Sequence, residues 1–536
     1  MKISFRKIEI LLLVVLYLTT LYIWTLPIQK NKMPFGDVDS SSHFTIGDYI
    51  SMYDKSIVEI PYPITFRYAG QNHIFPKYIW YPPQYWANLA LAQVFGGERI
   101  VPAFLMVAIF SSLIILSSYF LIRSLFGFWP GFLSSFLLIF STRDYMIYLW
   151  GQWPQSLSFA FTPLILYCFY HYYKNRKDNK NMPIYIYIAS LLLSAQFLFH
   201  PQGMIASIGA LVIFSLIMLA KNKKFPFSIK HLAVAFILFW IVSAAFAPFN
   251  IGNFFANLVA KQPANYRQSE GNNFQFDKLF KWYQGIKNDA GLPDFYFEYD
   301  KVHGSFQENI FSWWTLPFLL IGLFVLVYRR SENDFLMLSW FVSFYFLTRL
   351  IVFGFGQRDI RMFAYEAHVF YPIIAIGLIS ISSFFRQESL RKYLRFASIA
   401  LFLILAIFVN GKSAYQTLNG MQYSIGRINP QQYEASEWIR SNLDEKADIY
   451  DIGTLGYQNF AAKVKWLGVL SQRHFIVNDN EINLTDYVFL DYTDALLLRN
   501  QDYVNSLQNF EKNFQSMTPV YNKNNIRVYK VAGIKI

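Results

Sequence analysis

Charge is scarce in this chain. Asp, Glu, Lys and Arg make up 15% of its 536 residues, against about a quarter in a soluble domain. Cysteine is scarcer still. Cys168 stands alone, which excludes a disulfide within the chain and any cysteine-based metal site. No low-complexity tract or strong internal repeat is visible, and neither are the inverted halves of a transporter. What is abundant is apolar surface: 54% of residues are hydrophobic and 20% aromatic. Several runs reach the roughly 20 residues a helix needs to cross a bilayer core. These features predict a mainly α, polytopic membrane bundle, packed helix against helix because lipid cannot satisfy backbone polar groups. The formal net charge of +13 then reads as the basic bias of cytoplasmic loops, not as a nucleic-acid surface.

About eleven spans are expected, at 8–27, 100–123, 128–143, 154–173, 183–199, 203–220, 231–249, 311–328, 335–353, 363–385 and 395–411. Lys2, Arg6 and Lys7 precede the first run, as in a signal anchor, and no small-residue cleavage site follows it. With the N-terminus cytoplasmic, the basic residues fall on the inside. They are Lys174, Arg176, Lys177 and Lys180; Lys221, Lys223, Lys224 and Lys230; Arg329 and Arg330; and Arg386, Arg391, Lys392 and Arg395. By subtraction, the outer face carries loop 28–99, the Arg143 to Pro154 connection, the His200 turn, loop 250–310, the Gly354 to Arg361 turn and everything after Lys412.

Within loop 28–99, Tyr85 to Phe95 is apolar but too short to span, and reads as an interfacial helix. Ser41 to Lys55 is a weaker second one. Loop 250–310 is long, polar and aromatic, as a substrate-covering loop or a plain surface excursion would be. Residues 1–411 form the membrane domain, and 412–536 read as a small soluble α/β domain outside. In that domain helices are expected over Gln431 to Leu443 and Leu496 to Phe514. Strands are expected over Ala447 to Ile452, His474 to Val477 and Tyr487 to Tyr492, with a hairpin around Lys523-Asn524.

The chemistry concentrates on one stretch, Gly36-Asp37-Val38-Asp39, just beyond the first span. In an extended chain residues two apart point the same way, so Asp37 and Asp39 can face one ligand. Paired carboxylates can accept a proton from a nucleophile or hold a divalent cation, Mg or Mn. They can equally serve as a helix cap. A second constellation lies far along the chain. Arg358 and Arg361, three apart, share a helical face and suit a phosphate, and Arg349 lies a turn or so deeper. Weaker candidates on the same face are Gln152 in Trp150-Gly151-Gln152-Trp153, His200 in a tight turn, and His43 and His73 flanking the acidic loop.

A long first span, an outer loop opening on Asp-x-Asp, Tyr81-Pro82-Pro83 before an interfacial helix, many spans and an outer C-terminal domain resemble the GT-C-type glycosyltransferases. This superfamily includes the oligosaccharyltransferase catalytic subunit and protein mannosyltransferases. The resemblance covers about the first half of the chain in motifs and the rest in architecture. It implies a sugar donor on a polyprenyl or dolichyl phosphate, and a glycan, protein or lipid acceptor on the extracytoplasmic side. It also implies Asp37 or Asp39 as base or metal-side acid, and a basic group on a late outer turn for the lipid phosphate. The Trp-Trp-Asp-Tyr-Gly motif of oligosaccharyltransferases is missing: Trp313-Trp314 is followed by Thr315. The rival readings are a transporter or flippase of lipid-linked glycans and a non-catalytic assembly subunit.

Overall fold

The computed structural model describes residues 5–36, 38–53, 84–223, 225–244, 313–348, 362, 365–385, 387–421, 427–454, 461–476 and 485–531. Asp37, His73, Tyr81, Arg349, Arg358, Arg361 and loop 250–310 lie outside these residues. The chain is mainly helical with one small sheet, and it is an integral membrane protein. Among the described residues four helices are long and apolar enough to cross a membrane: Arg6–Trp24, Val101–Phe126, Pro201–Asn222 and Glu388–Gly420. Shorter apolar helices occupy Phe128–Leu138, Ile184–Phe199, Ile229–Ser243, Leu316–Arg329 and Glu366–Ile381.

The first span is helix α1 (Phe5–Trp24). Helix α2 (Val38–Tyr53) carries Asp39 in its first turn, and α3 (Gln84–Gly96) packs beside it. Helices are therefore present at both places the sequence suggested, 38–53 and 84–96. Helix α4 (Val101–Phe126) follows.

The single span expected over 128–143 is instead two helices, α5 (Phe128–Leu138) and α6 (Thr142–Leu149). The break is local. Ile139, Phe140 and Ser141 tighten to hydrogen bonds three residues back, and the Ser141 hydroxyl accepts the Asp144 amide at 3.3 Å. A serine competing for backbone donors is how a new helix starts.

Helices α7 (Trp153–Lys177), α8 (Ile184–Phe199) and α9 (Pro201–Asn222) follow. They share a buried polar seam. Gln196 donates to the Ser158 carbonyl at 2.8 Å and to Thr162 at 2.9 Å, and Ser207 donates to the Gln196 amide oxygen at 2.8 Å. Interhelical hydrogen bonds of this kind hold membrane helices where apolar burial gives no drive. Four further helices follow, α10 (Ile229–Ala244), α11 (Leu316–Arg329), α12 (Glu332–Leu347) and α13 (Glu366–Ile381). Helix α13 is buried along almost its whole length. It lies backbone-close to α11 at Gly322 and Gly377, where an added Cβ would run into the opposing chain.

The last membrane helix, α14, runs from Glu388 past Lys412 to Gly420. After it comes an α/β domain with helices α15 (Pro430–Asn442) and α16 (Ala461–Ser471). Its five strands are β1 (Asp448–Ile452), β2 (His474–Ile476), β3 (Tyr487–Asp491), β4 (Tyr521–Lys523) and β5 (Ile526–Lys530), in the order β2-β1-β3-β5-β4. The first three are parallel and the β4–β5 hairpin is antiparallel. Its turn holds Asn524 and Asn525 at positive φ, 53° and 66°, which suits the right-handed strand twist. The one helix expected over Leu496 to Phe514 is broken. Arg499 turns left-handed, and the Asn500 side chain restarts the helix by accepting the Tyr503 amide. Helix α16 was not expected, because its Lys463 and Lys465 break the apolar run in the sequence although both are buried.

The domain packs on the end of the bundle that bears α2. Trp466 of α16 meets Phe44 of α2 edge-on at 5.3 Å. Arg99 grips Asp48 of α2 at 2.7 Å and Glu437 of α15 at 2.6 Å. Burial works against the Arg99 charge, but Asp48 and then Glu437 outweigh it and raise its pKa above the usual guanidinium value.

Candidate active site

The site is built around α6. On one side of this short helix, Tyr145 and Tyr148 hold the segment leading to the acidic motif. Their rings lie 5.1 and 5.2 Å from Trp24, and the Tyr148 hydroxyl donates to the Trp24 carbonyl at 2.8 Å. Tyr148 also packs 5.2 Å from Phe35.

On the other side, α6 presents two charges to α13. Arg143 Nε lies 3.2 Å from Glu366 Oε2, with 4% and 0% of the side chains exposed. His368 Nε2 lies 2.7 Å from Asp144 Oδ1, with 1% exposed on each. Four ionisable groups thus meet in a buried cluster on two helices. Charges out of water persist only when paired and hydrogen-bonded. The second oxygen of Asp144 and Nδ1 of His368 are buried and, among the described residues, have no hydrogen-bond partner. The ring of His368 also sits 6.3 Å from Phe159 of α7.

Two glycines bring the acidic turn against this helix. Gly36 has φ +106°, and an added Cβ would lie 2.7 Å from Ser40 Cβ and 3.3 Å from the Leu149 carbonyl at the end of α6. Gly151 has φ +81°, and its Cβ would lie 2.5 Å from Ser40 Cα. Only glycine tolerates both the positive φ and the approach. Asp39, one residue before Ser40, therefore lies over the turn that closes α6. As the first-turn acid of α2 it also meets the positive end of that helix.

The other described candidates are placed as follows. His43 is buried, and its Nδ1 accepts the Trp86 indole N–H at 2.9 Å. Gln152 stands at the N-cap position of α7 without a side-chain cap bond, and its side-chain oxygen is buried and, among the described residues, unpartnered. His200 caps α9, its Nδ1 accepting the Gln202 amide at 3.3 Å, and its carbonyl accepts Ser158 at 2.6 Å. His43 and Gln152 thus border the acidic turn, whereas His200 belongs to the polar seam. Sequence reasoning passed over Arg143, Asp144, Glu366 and His368. The available signal was their charge at the mouths of apolar runs, where an ionisable residue is a functional candidate by default.

Among the described residues no group of three or more His, Cys, Asp or Glu could hold a metal ion. Asp39, Asp144 and His368 offer oxygen and nitrogen donors, but they do not form a closed ligand set.

The fold is shared with known proteins. The oligosaccharyltransferase of Archaeoglobus fulgidus, solved with Zn and sulfate, superposes with a TM-score of 0.55 at 15% identity, over 92% of this chain and 66% of that one. The same organism's AglB, solved with an inhibitory peptide and a dolichol-phosphate, gives 0.51 at 15% identity over 95% and 69%. ArnT from Cupriavidus metallidurans, bound to undecaprenyl phosphate, gives 0.50 at 11% identity over 96% and 97%. The chain thus spans about two-thirds of the archaeal enzyme's length and nearly all of ArnT's. No curated protein matches by sequence. The helical bundle and the C-terminal α/β domain thus share the fold of these solved proteins. Within it, residues 10–364 match one family model, and the chain belongs to that family, DUF6541, a family of unknown function.

Proposed function

We propose that this protein is a GT-C-type membrane glycosyltransferase. It takes a sugar from a polyprenyl- or dolichyl-phosphate carrier and passes it to a glycan, protein or lipid on the extracytoplasmic face. The observation that carries this reading is the seating of the Asp39 turn over α6, whose Asp144 reaches His368 on α13. The acidic turn thereby rests on the end of the helix that carries Asp144. Solved proteins of this fold bind dolichol-phosphate and undecaprenyl phosphate, which supports a lipid-phosphate donor here. The basic loops support a cytoplasmic N-terminus and an outer C-terminal domain.

The reaction is a single inverting displacement. The acceptor hydroxyl oxygen attacks the anomeric carbon, its proton passes to Asp37 or Asp39, and the bond from that carbon to the phosphate oxygen breaks. The departing lipid phosphate is held by Arg358 and Arg361, whose guanidiniums can each donate two parallel bonds to it. Asp144, buried with one oxygen unspent, is a second acceptor, and His368 fixes its orientation. Trp313–Thr315 forms a single helical turn before α11, so the sequon-reading role of the oligosaccharyltransferase tryptophans is not assigned here.

Reconstitution in vesicles, with sugar transfer and lipid translocation measured separately, tests the proposal. Transfer lost on Asp39→Asn is the expected result. Translocation without transfer would make the protein a flippase, and neither activity would make it an assembly subunit.

A further inference from the structure

Arg427 sits just after α14, 4% exposed, and among the described residues no carboxylate pairs with it. A guanidinium has five N–H donors, and here each has a backbone carbonyl. Nε donates to Pro34 at 2.9 Å. One Nη donates to Pro27 and to Met421, the latter at 3.4 Å. The other donates to Asn31 at 3.0 Å and to Met33. Four of the five carbonyls belong to residues 27–34, the run between the first span and the acidic motif. The guanidinium also lies 5.8 Å from the centre of the Phe35 ring. One residue further, the Gly36 carbonyl accepts the Trp466 indole N–H at 3.1 Å. Burial pulls the Arg427 pKa down to about 9. A buried cation without a counter-ion is costly, and the carbonyl ring is what holds it.

We propose that Arg427 and Trp466 are positioning residues. The C-terminal part of the chain clamps the backbone of residues 27–36 and so sets where Asp39 stands relative to α6. Arg427 acts through the number and direction of its donors rather than through its charge. Lysine keeps the charge but has three donors on a flexible stem, so it cannot reproduce the ring. Trp466 acts through one N–H, since its ring contacts with Phe44 and Phe104 would survive as phenylalanine. The role assigned to the acids rests on the proposed glycosyl transfer, whereas the clamp itself does not.

The test is hydrogen–deuterium exchange on the full-length protein in lipid nanodiscs, with Arg427→Lys, Arg427→Met and Trp466→Phe. Peptides covering residues 26–45 should exchange at least tenfold faster in Arg427→Met and Trp466→Phe, with Arg427→Lys between Arg427→Met and wild type. Peptides from β3, β5 and α4 should be unchanged. Wild-type exchange in Arg427→Lys would show that charge alone suffices. Faster exchange everywhere would show a merely stabilising role, and no change in any variant would remove the clamp; each result overturns the proposal. Transfer from undecaprenyl-phosphate-linked [14C]mannose in Trp466→Phe should show at least tenfold lower kcat, with the donor KM within twofold. A donor KM raised in step with the fall in kcat overturns the positioning role. If localised exchange appears while Asp37→Asn and Asp39→Asn both retain wild-type transfer, the clamp stands and the catalytic reading falls.

Discussion

His368 Nε2 lies 2.7 Å from Asp144 Oδ1, with both side chains sealed from solvent, and 224 residues of chain separate the two. If Asp144 takes part in proton transfer, Asp144→Asn should preserve shape and reduce sugar transfer by about 100-fold or more, the range for a positioned acid or base. Single-turnover transfer at saturating donor, beside a thermal unfolding curve, checks this. Lower stability with transfer intact would make the pair structural.

Arg143 and Glu366 bridge the same two helices 3.2 Å apart. Replacing Arg143 with Met leaves the Glu366 carboxylate buried beside an apolar side chain. The cost should be about 3–5 kcal/mol, the usual result of breaking a buried pair by one partner. Thermal or denaturant unfolding in detergent measures it.

Gly151 stands at φ +81° with no room for a Cβ beside Ser40. Gly151→Ala should cost about 1–3 kcal/mol in backbone strain and push the α2 turn away from α6. The expected outcome is lower stability together with lower transfer. An alanine variant as stable as wild type would mean that the approach of the two segments is not needed.

Asp451 of β1 is buried in the C-terminal domain. Burial pushes its pKa well above the usual carboxylate value, and the neighbouring Asp491 adds to the rise. The folded state therefore binds a proton that the unfolded state releases near pH 4. The contribution of this proton is complete below the unfolded pKa and declines as pH rises toward the folded one, by at most about 1.4 kcal/mol per pH unit. Asp451→Asn abolishes that slope, so the variant should gain on wild type as pH rises from 5 to 8. Protection of β1 and β3 amides in full-length protein, compared at each pH, reads this out. A constant difference across the range would contradict it.

Apolar run length was enough to find most of the described helices before the C-terminal domain, and alternation was enough for that domain's strands. Those signals depend on residues that face lipid, water or a regular core. The departures came where local competition decides. Ser141 ended a helix that hydrophobicity would have continued, and Asn500 split another. Two lysines drawn inside the fold hid α16. At the site, the acidic turn was legible because two acids stand close together in sequence. The Asp144–His368 and Arg143–Glu366 pairs were not, because each residue alone is unremarkable and only the packing of α6 against α13 joins them. Arg427 was invisible for the same reason, since its partners are backbone carbonyls, which leave no trace in side-chain pattern.

The most direct measurement is sugar transfer from a polyprenyl-phosphate-linked donor by purified protein in proteoliposomes, comparing wild type with Asp37→Asn, Asp39→Asn and the double variant. Transfer by wild type that drops at least 100-fold in the double variant, with folding unchanged, is the result expected for a positioned carboxylate base. Wild-type rates in the double variant would contradict the assignment of this loop as the place where the acceptor loses its proton.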